Sequence, residues 1–217
     1  MVTALRSHLE AIAGVPLTLQ PRPAPPSIPI GIPGLDPVPR GALTEISGPA
    51  SSGRTSLAVS LMAEITDRQE VCALIDTAGS FDPATAAAAG VHLDRLLWIR
   101  CSSDAERALK AADLVIQSGG FGLVIFDLGQ TPLRNARRIS LTSWFRLRRA
   151  VENTPTALLV LAREPLAKTC ASLVLEMHRG SPIWSGNLFR ELKVIARTKV
   201  GRTSWSARDL PVALSAQ

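Results

Sequence analysis

An apolar run with strand character, Leu43-Thr44-Glu45-Ile46-Ser47, is followed at once by Gly48-Pro49-Ala50-Ser51-Ser52-Gly53-Arg54-Thr55 and then by a helical pattern of Leu57, Val59, Leu61, Met62 and Ile65. Strand, glycine-rich turn and helix in that order form the context of a phosphate-cradling loop. Glycines let backbone N–H groups converge on an anion, and the helix N-terminus adds partial positive charge. The spacing is that of the Walker A motif, with Arg54 in place of its lysine. An arginine is forked and bulkier than a compact ammonium, so the exchange is not conservative at a tight phosphate site. Thr55 keeps the hydroxyl that would ligate Mg²⁺. The candidate nucleotide-binding residues of the loop are Gly48, Ser51, Ser52, Gly53, Arg54 and Thr55. A glycine turn that merely joins strand to helix is the plainer reading.

A chain of 217 residues can bury one substantial core. The formal net charge of +6 points to an acidic partner, with nucleic acid or an acidic protein surface ahead of membrane. Arginine outnumbers lysine 20 to 4, a bias that base composition of the genome produces as readily as phosphate recognition does. Cys72, Cys101 and Cys170 are odd in number and far apart, the pattern of reduced core thiols in a cytoplasmic protein and not of a disulfide or metal set. No apolar run reaches membrane-spanning length, and the N-terminus lacks the apolar core of a secretion signal. Residues 3–13 place Leu5, Leu9 and Ile12 on one helical face, too short to be stable alone. Nine of the 16 prolines fall between Pro16 and Pro39, so residues 1–29 read as a short helix with an extended arm and residues 30–217 as the core domain.

Beyond the loop, helix and strand patterns alternate. Ser103-Asp104-Ala105-Glu106 is a capping box that opens a helix. Leu123-Val124-Ile125-Phe126-Asp127 is a buried parallel strand ending in a carboxylate, and after a phosphate loop such an aspartate is the Walker B position, which orients Mg²⁺. Thr55 and Asp127 are thus the metal candidates if nucleotide binds. Residues 172–179, 190–199 and 203–210 read as strands, the last two forming a hairpin.

The run from Ile30-Gly31-Ile32-Pro33-Gly34-Leu35-Asp36 through Gly41-Ala42-Leu43-Thr44-Glu45-Ile46-Ser47-Gly48 resembles the entry to the core of the RecA family. Val71-Cys72-Ala73-Leu74-Ile75-Asp76, Phe81-Asp82-Pro83 and Ala89-Gly90-Val91 continue the likeness, which covers about residues 30–210. The resemblance implies a single RecA-like α/β domain, a mostly parallel sheet flanked by helices with antiparallel C-terminal strands. It adds Asp82 to the nucleotide-binding set, and it makes Arg197 and Lys199 a possible trans-subunit contact to a neighbour's nucleotide. Charges that protect an edge strand are the other reading of that pair. The likeness also marks departures. A family ATPase carries a catalytic glutamate two residues after the second-strand aspartate, and here Ala78 stands there. The glutamine that senses the terminal phosphate is replaced by Arg163. A methyl group accepts no proton, so no residue is assigned a catalytic role and hydrolysis of the family's usual kind is not expected.

The strongest basic cluster is Arg134, Arg137, Arg138, Arg146, Arg148 and Arg149, interleaved with Ile139, Leu141, Trp144, Phe145 and Leu147. It reads either as a basic helix for DNA or an acidic partner, or as a solvated face behind core aromatics, with Leu141, Trp144, Phe145 and Val151 on one side. A short chain with a helix, a proline-rich arm and no catalytic glutamate looks most like the ImuA group. That likeness implies a non-catalytic adaptor in mutagenic translesion DNA synthesis, with a polymerase-like ImuB subunit or RecA as partner and ATP with Mg²⁺ as a dispensable cofactor. Two other functions stay open: a divergent DNA-dependent ATPase of recombinase type, and a regulator that binds ATP without splitting it.

Overall fold

The protein is described here by a computed structural model, covering residues 26–31, 35, 37–185, 188–200 and 206–215. The helix expected over 3–13, most of the proline-rich arm, and Trp205 lie outside the described residues.

Two short strands, β1 (Ser27–Ile28) and β2 (Val38–Pro39), pair antiparallel, and Ile28 is fully buried although it falls in the stretch expected to be arm. The main sheet begins with β3 (Ala42–Ser47), which leads through the glycine loop into helix α1 (Arg54–Asp67). Next come β4 (Cys72–Asp76), α2 (Pro83–Ala88), β5 (Leu96–Arg100), α3 (Ala105–Ser118) and β6 (Leu123–Asp127). Two helices, α4 (Leu133–Ala136) and α5 (Leu141–Val151), precede β7 (Ala157–Ala162), and β8 (Leu173–Ser185), β9 (Leu188–Val200) and β10 (Ser206–Ser215) close the chain order. The sheet runs β10-β9-β8-β3-β7-β6-β4-β5. From β8 to β5 all neighbours are parallel, and β8-β9-β10 are antiparallel. This is the expected mostly parallel α/β domain with antiparallel C-terminal strands.

The parallel strands are apolar without alternation because helices cover both faces. Ile46, Leu74, Ile125 and Leu159 pack with Leu57, Leu61, Met62 and Ile65 of α1 on one face. Val124, Phe126, Leu158 and Val160 pack on the other with Ala108 and Ala112 of α3 and with Trp144, Leu147 and Val151 of α5. The hairpin expected at the end of the chain is present as β9-β10, and β8 extends six residues further than the periodicity marks it, pairing along β9.

Two local expectations are corrected. The cap of α3 is Asp104, not Ser103: its carboxylate accepts the Glu106 and Arg107 N–H groups at 3.0 and 3.1 Å. On α5, Trp144 is core and meets Phe126 at 6.0 Å between ring centroids, but Leu141 and Phe145 are more than two-fifths exposed and Leu147 takes their place inside. Helix α5 starts on Ser140, whose hydroxyl accepts the Ser143 N–H at 3.1 Å. Ser140→Ala is expected to cost about 1 kcal/mol, read as a lower urea midpoint at unchanged slope.

Candidate phosphate-loop site

The loop leaves the carboxyl end of β3, beside the ends of β7 and β6. Its entry is held by Gly48, whose N–H donates to the Ala162 carbonyl at 3.2 Å. A Cβ on Gly48 would overlap the Met177 carbonyl oxygen of β8 and stand 2.7 Å from Ser52 Oγ. Ser51 (φ 58°) and Gly53 (φ 86°) are left-handed, a conformation that glycine adopts freely and serine at a cost of order 1 kcal/mol. Successive turns of this kind aim N–H groups into one concavity. The N–H groups of Ser51, Ser52 and Gly53 meet no acceptor among the described residues. Ser52 Oγ is buried and has no hydrogen-bond partner among them either.

Arg54 opens α1 but does not face solvent. It is 6% exposed, and its Nη1 donates to the Ala162 carbonyl at 2.5 Å. The guanidinium lies against Gly129, where an added Cβ would be 3.1 Å from Arg54 Nη1 and 3.0 Å from Asp127 Oδ1. Asp127 ends β6 and accepts the Gly129 N–H at 2.7 Å. Burial raises its carboxyl to about 6, with Asp76 adding to the rise and the Gly129 N–H and Arg54 opposing it. Burial lowers the Arg54 guanidinium from its ordinary value; Asp127 opposes this and Arg163 reinforces it. Arg163 lies on the other side of the same turn, its Nε donating to the Gly129 carbonyl at 3.1 Å and its Nη2 to Gln130 Oε1 at 3.3 Å.

Asp76 sits opposite Asp127 in the β4–β6 register. Its fully buried carboxylate takes the N–H groups of Gly79, Ser80 and Phe81 and the Trp98 indole N–H at 2.8–3.2 Å. Asp76 therefore shapes the turn after β4. Ala78, at the position matching the catalytic glutamate, lies half-buried in that turn. Asp82 caps α2 through the Ala84 and Thr85 N–H groups at 3.1 and 3.3 Å and through the Thr85 hydroxyl, the largest of the bonds that lower its pKa. Thr55 is exposed at the start of α1.

One buried acid carries no signal in the motif. Glu45 of β3 is fully buried, and its carboxylate accepts the Leu166 N–H at 2.6 Å and the Ala167 N–H at 3.2 Å. It pins the segment that follows β7. Burial raises its carboxyl to about 7 against the pull of those N–H groups, and Glu176 adds to the rise. The partners lie 121 and 122 residues away in sequence, so no local pattern marks them.

The six arginines of the basic cluster divide in two. Arg137 forms a bidentate pair with Glu164 at 2.6 and 2.8 Å, Arg146 faces Asp113 at 3.3 Å across α3 and α5, and Arg148 pairs with Glu152 at 2.9 Å. Arg134, Arg138 and Arg149 are exposed and have no carboxylate partner among the described residues. Arg138 borders a groove of about 590 Å³ between the starts of α3 and α5, which also takes in Lys110, Asn135 and Ser143. Arg197 stands on β9 opposite Glu176 of β8, and Lys199 stands two residues on, opposite Val174. β10 covers β9, so the reading of this pair as charges protecting an edge strand does not hold.

Comparison with known proteins places the likeness. Residues 27–133 match the RecA N-terminal domain. Over 94 residues the chain is 43% identical to the protein RecA of Rickettsia bellii (strain OSU 85-389), a stretch that is 43% of this chain and 27% of that protein. The protein RecA of Borrelia hermsii (strain HS1 / DAH) is 42% identical over 94 residues, 26% of its length. The match thus spans about a quarter of the length of these relatives. The match to the RecA N-terminal domain takes in the loop, Asp76, Asp82 and Asp127 and ends at Leu133, before the arginine-rich helix. The chain is RecA-like in sequence over that half and in the topology of its sheet. No described helix is long and apolar enough to cross a membrane.

Proposed function

We propose that this RecA-like chain is a non-catalytic adaptor of the DNA damage response that supports mutagenic translesion DNA synthesis, as the resemblance to the ImuA group implies. The observation that carries the reading is Arg54. The cation at the lysine position of the loop is turned into the fold, where it holds the end of β7. Ala78, half-buried in the turn after β4, offers no group to activate water. The scaffold then serves to present surfaces. Arg134, Arg138 and Arg149, without acid partners among the described residues and outside the RecA-like span, supply a basic one for a polymerase-like ImuB subunit, for RecA or for DNA.

Two arms of one experiment test this. Purified protein with ATP, Mg²⁺ and single-stranded DNA is expected to release phosphate no faster than buffer. Reversing Arg134, Arg138 and Arg149 to glutamate is expected to weaken capture of the polymerase-like subunit at least tenfold at low salt. Steady turnover that Arg54→Ala abolishes would place the chain with the divergent recombinase ATPases instead. Unchanged capture would leave the arginines as a solvated face.

A further inference from the structure

The RecA resemblance implies a nucleotide held with Mg²⁺, and the residues around Asp127 do not fit that ion. A divalent cation at the Walker B position needs an electronegative pocket with a carboxylate oxygen turned to it. Here two guanidinium groups bracket Gly129. Arg54 lies against it from the interior, beside the Asp127 carboxylate, and Arg163 holds its carbonyl at 3.1 Å. Their formal charges sum to that of a magnesium ion. Asp127 Oδ1 is already committed to the Gly129 N–H at 2.7 Å. A metal ion entering this space would meet two cations and a carboxylate that one of them already offsets, so the site repels a divalent cation.

The anion side of the loop is intact. Three N–H groups, of Ser51, Ser52 and Gly53, are without acceptors among the described residues, and two left-handed residues turn the backbone around them. The second sign of a ligand is the Ser52 hydroxyl, 1% exposed and unpartnered inside the loop. Thr77 Oγ1 after β4 and Thr131 Oγ1 after β6 are likewise buried without partners among the described residues, at the same edge of the sheet. Buried hydroxyls left unpaired are costly, and an oxyanion with many lone pairs satisfies such groups.

We infer that loop 48–55 binds a polyphosphate without a divalent metal, the Arg54 and Arg163 guanidinium groups supplying the charge that Mg²⁺ supplies in a lysine-bearing loop. This rests on reading the loop as an anion cradle, and it is separate from whether the chain hydrolyses anything. Arg163 is exposed and can follow a ligand's outer phosphate, and Arg54 neutralises Asp127 from behind.

Calorimetric titration of the full chain with ATP, once in EDTA and once in excess Mg²⁺, decides the matter. The two dissociation constants are expected to agree within about threefold. An affinity tenfold higher in Mg²⁺ overturns the proposal, as does the lack of binding in either buffer. Arg54→Lys keeps the charge but removes the forked guanidinium that bonds the Ala162 carbonyl and fills the space beside Gly129 and Asp127; it is expected to turn the ratio at least tenfold toward Mg²⁺. An unchanged ratio in a folded Arg54→Lys protein, checked by circular dichroism, would show that Arg54 is not the metal's substitute. Should that variant not fold, the two wild-type titrations decide alone. ATP turnover would remove the adaptor reading and leave this inference standing, whereas metal dependence without turnover would do the reverse.

Discussion

Gly48→Ala is expected to lower stability by about 3 kcal/mol, seen as a melting temperature roughly 10 °C lower for a domain of this size. The cause is steric and local. The new methyl group would overlap the Met177 carbonyl oxygen, stand 3.1 Å from the carbonyl carbon behind it, and stand 2.7 Å from Ser52 Oγ. The Ser52 hydroxyl can rotate away. The Met177 carbonyl cannot, because β8 is held on one side by β3 and on the other by β9. Relief would require moving the loop off β7 and breaking the bond from the Gly48 N–H to Ala162. A melting shift under 2 °C would show that β8 yields without resistance, and with it that the loop is not packed as described.

Raising the pH from 5 to 8 is expected to weaken the fold by about 3 kcal/mol through Glu45 alone. The folded protein holds this carboxyl at about 7 against an ordinary value of 4.5. The native state therefore binds more protons than the unfolded chain between those values, so the stabilisation is full below about 4.5 and is lost as pH rises through 7. Glu176 on β8 and Cys170 before it are the titratable groups that couple to Glu45. Asp127, raised from 3.8 to about 6, acts in the same direction, its contribution full below about 3.8 and lost as pH rises through 6. Exposed Asp82 and Asp104 and half-buried Glu164, each lowered by bonds to its ionised form, act oppositely and at lower pH. Denaturant titrations at several pH values measure the slope. In Glu45→Gln most of it should vanish, and a slope that survives this change would assign it to other groups.

The sequence revealed the sheet because its parallel strands are apolar runs bounded by turn residues, a signal that needs no partner to be read. The loop was legible for the same reason: glycine spacing, strand before and helix after are all local. What stayed hidden were choices made by tertiary neighbours. The motif places Arg54 at a phosphate, and only the position of Ala162, 108 residues on, shows the side chain turned inward. Asp82 looks like a ligand in a motif and serves as a helix cap. On α5, helical periodicity admits Leu141 and Phe145 to the buried face, but the helix presents Trp144, Leu147 and Val151 to the sheet instead. The basic cluster could not be divided from its sequence either, since the acids that occupy Arg137 and Arg146 come from the segment after β7 and from α3.

The carbonyl of Ala162 receives two donors, the Gly48 N–H and the Arg54 guanidinium. One comes from each end of the glycine turn. The turn is thus clamped at both shoulders to a central strand, so opening and closing around a guest is not available to it as a hinge motion. The path of its backbone should hardly change when an anion arrives, only the unpaired amides of Ser51, Ser52 and Gly53 should exchange more slowly with heavy water, and any guest must fit a shape fixed beforehand.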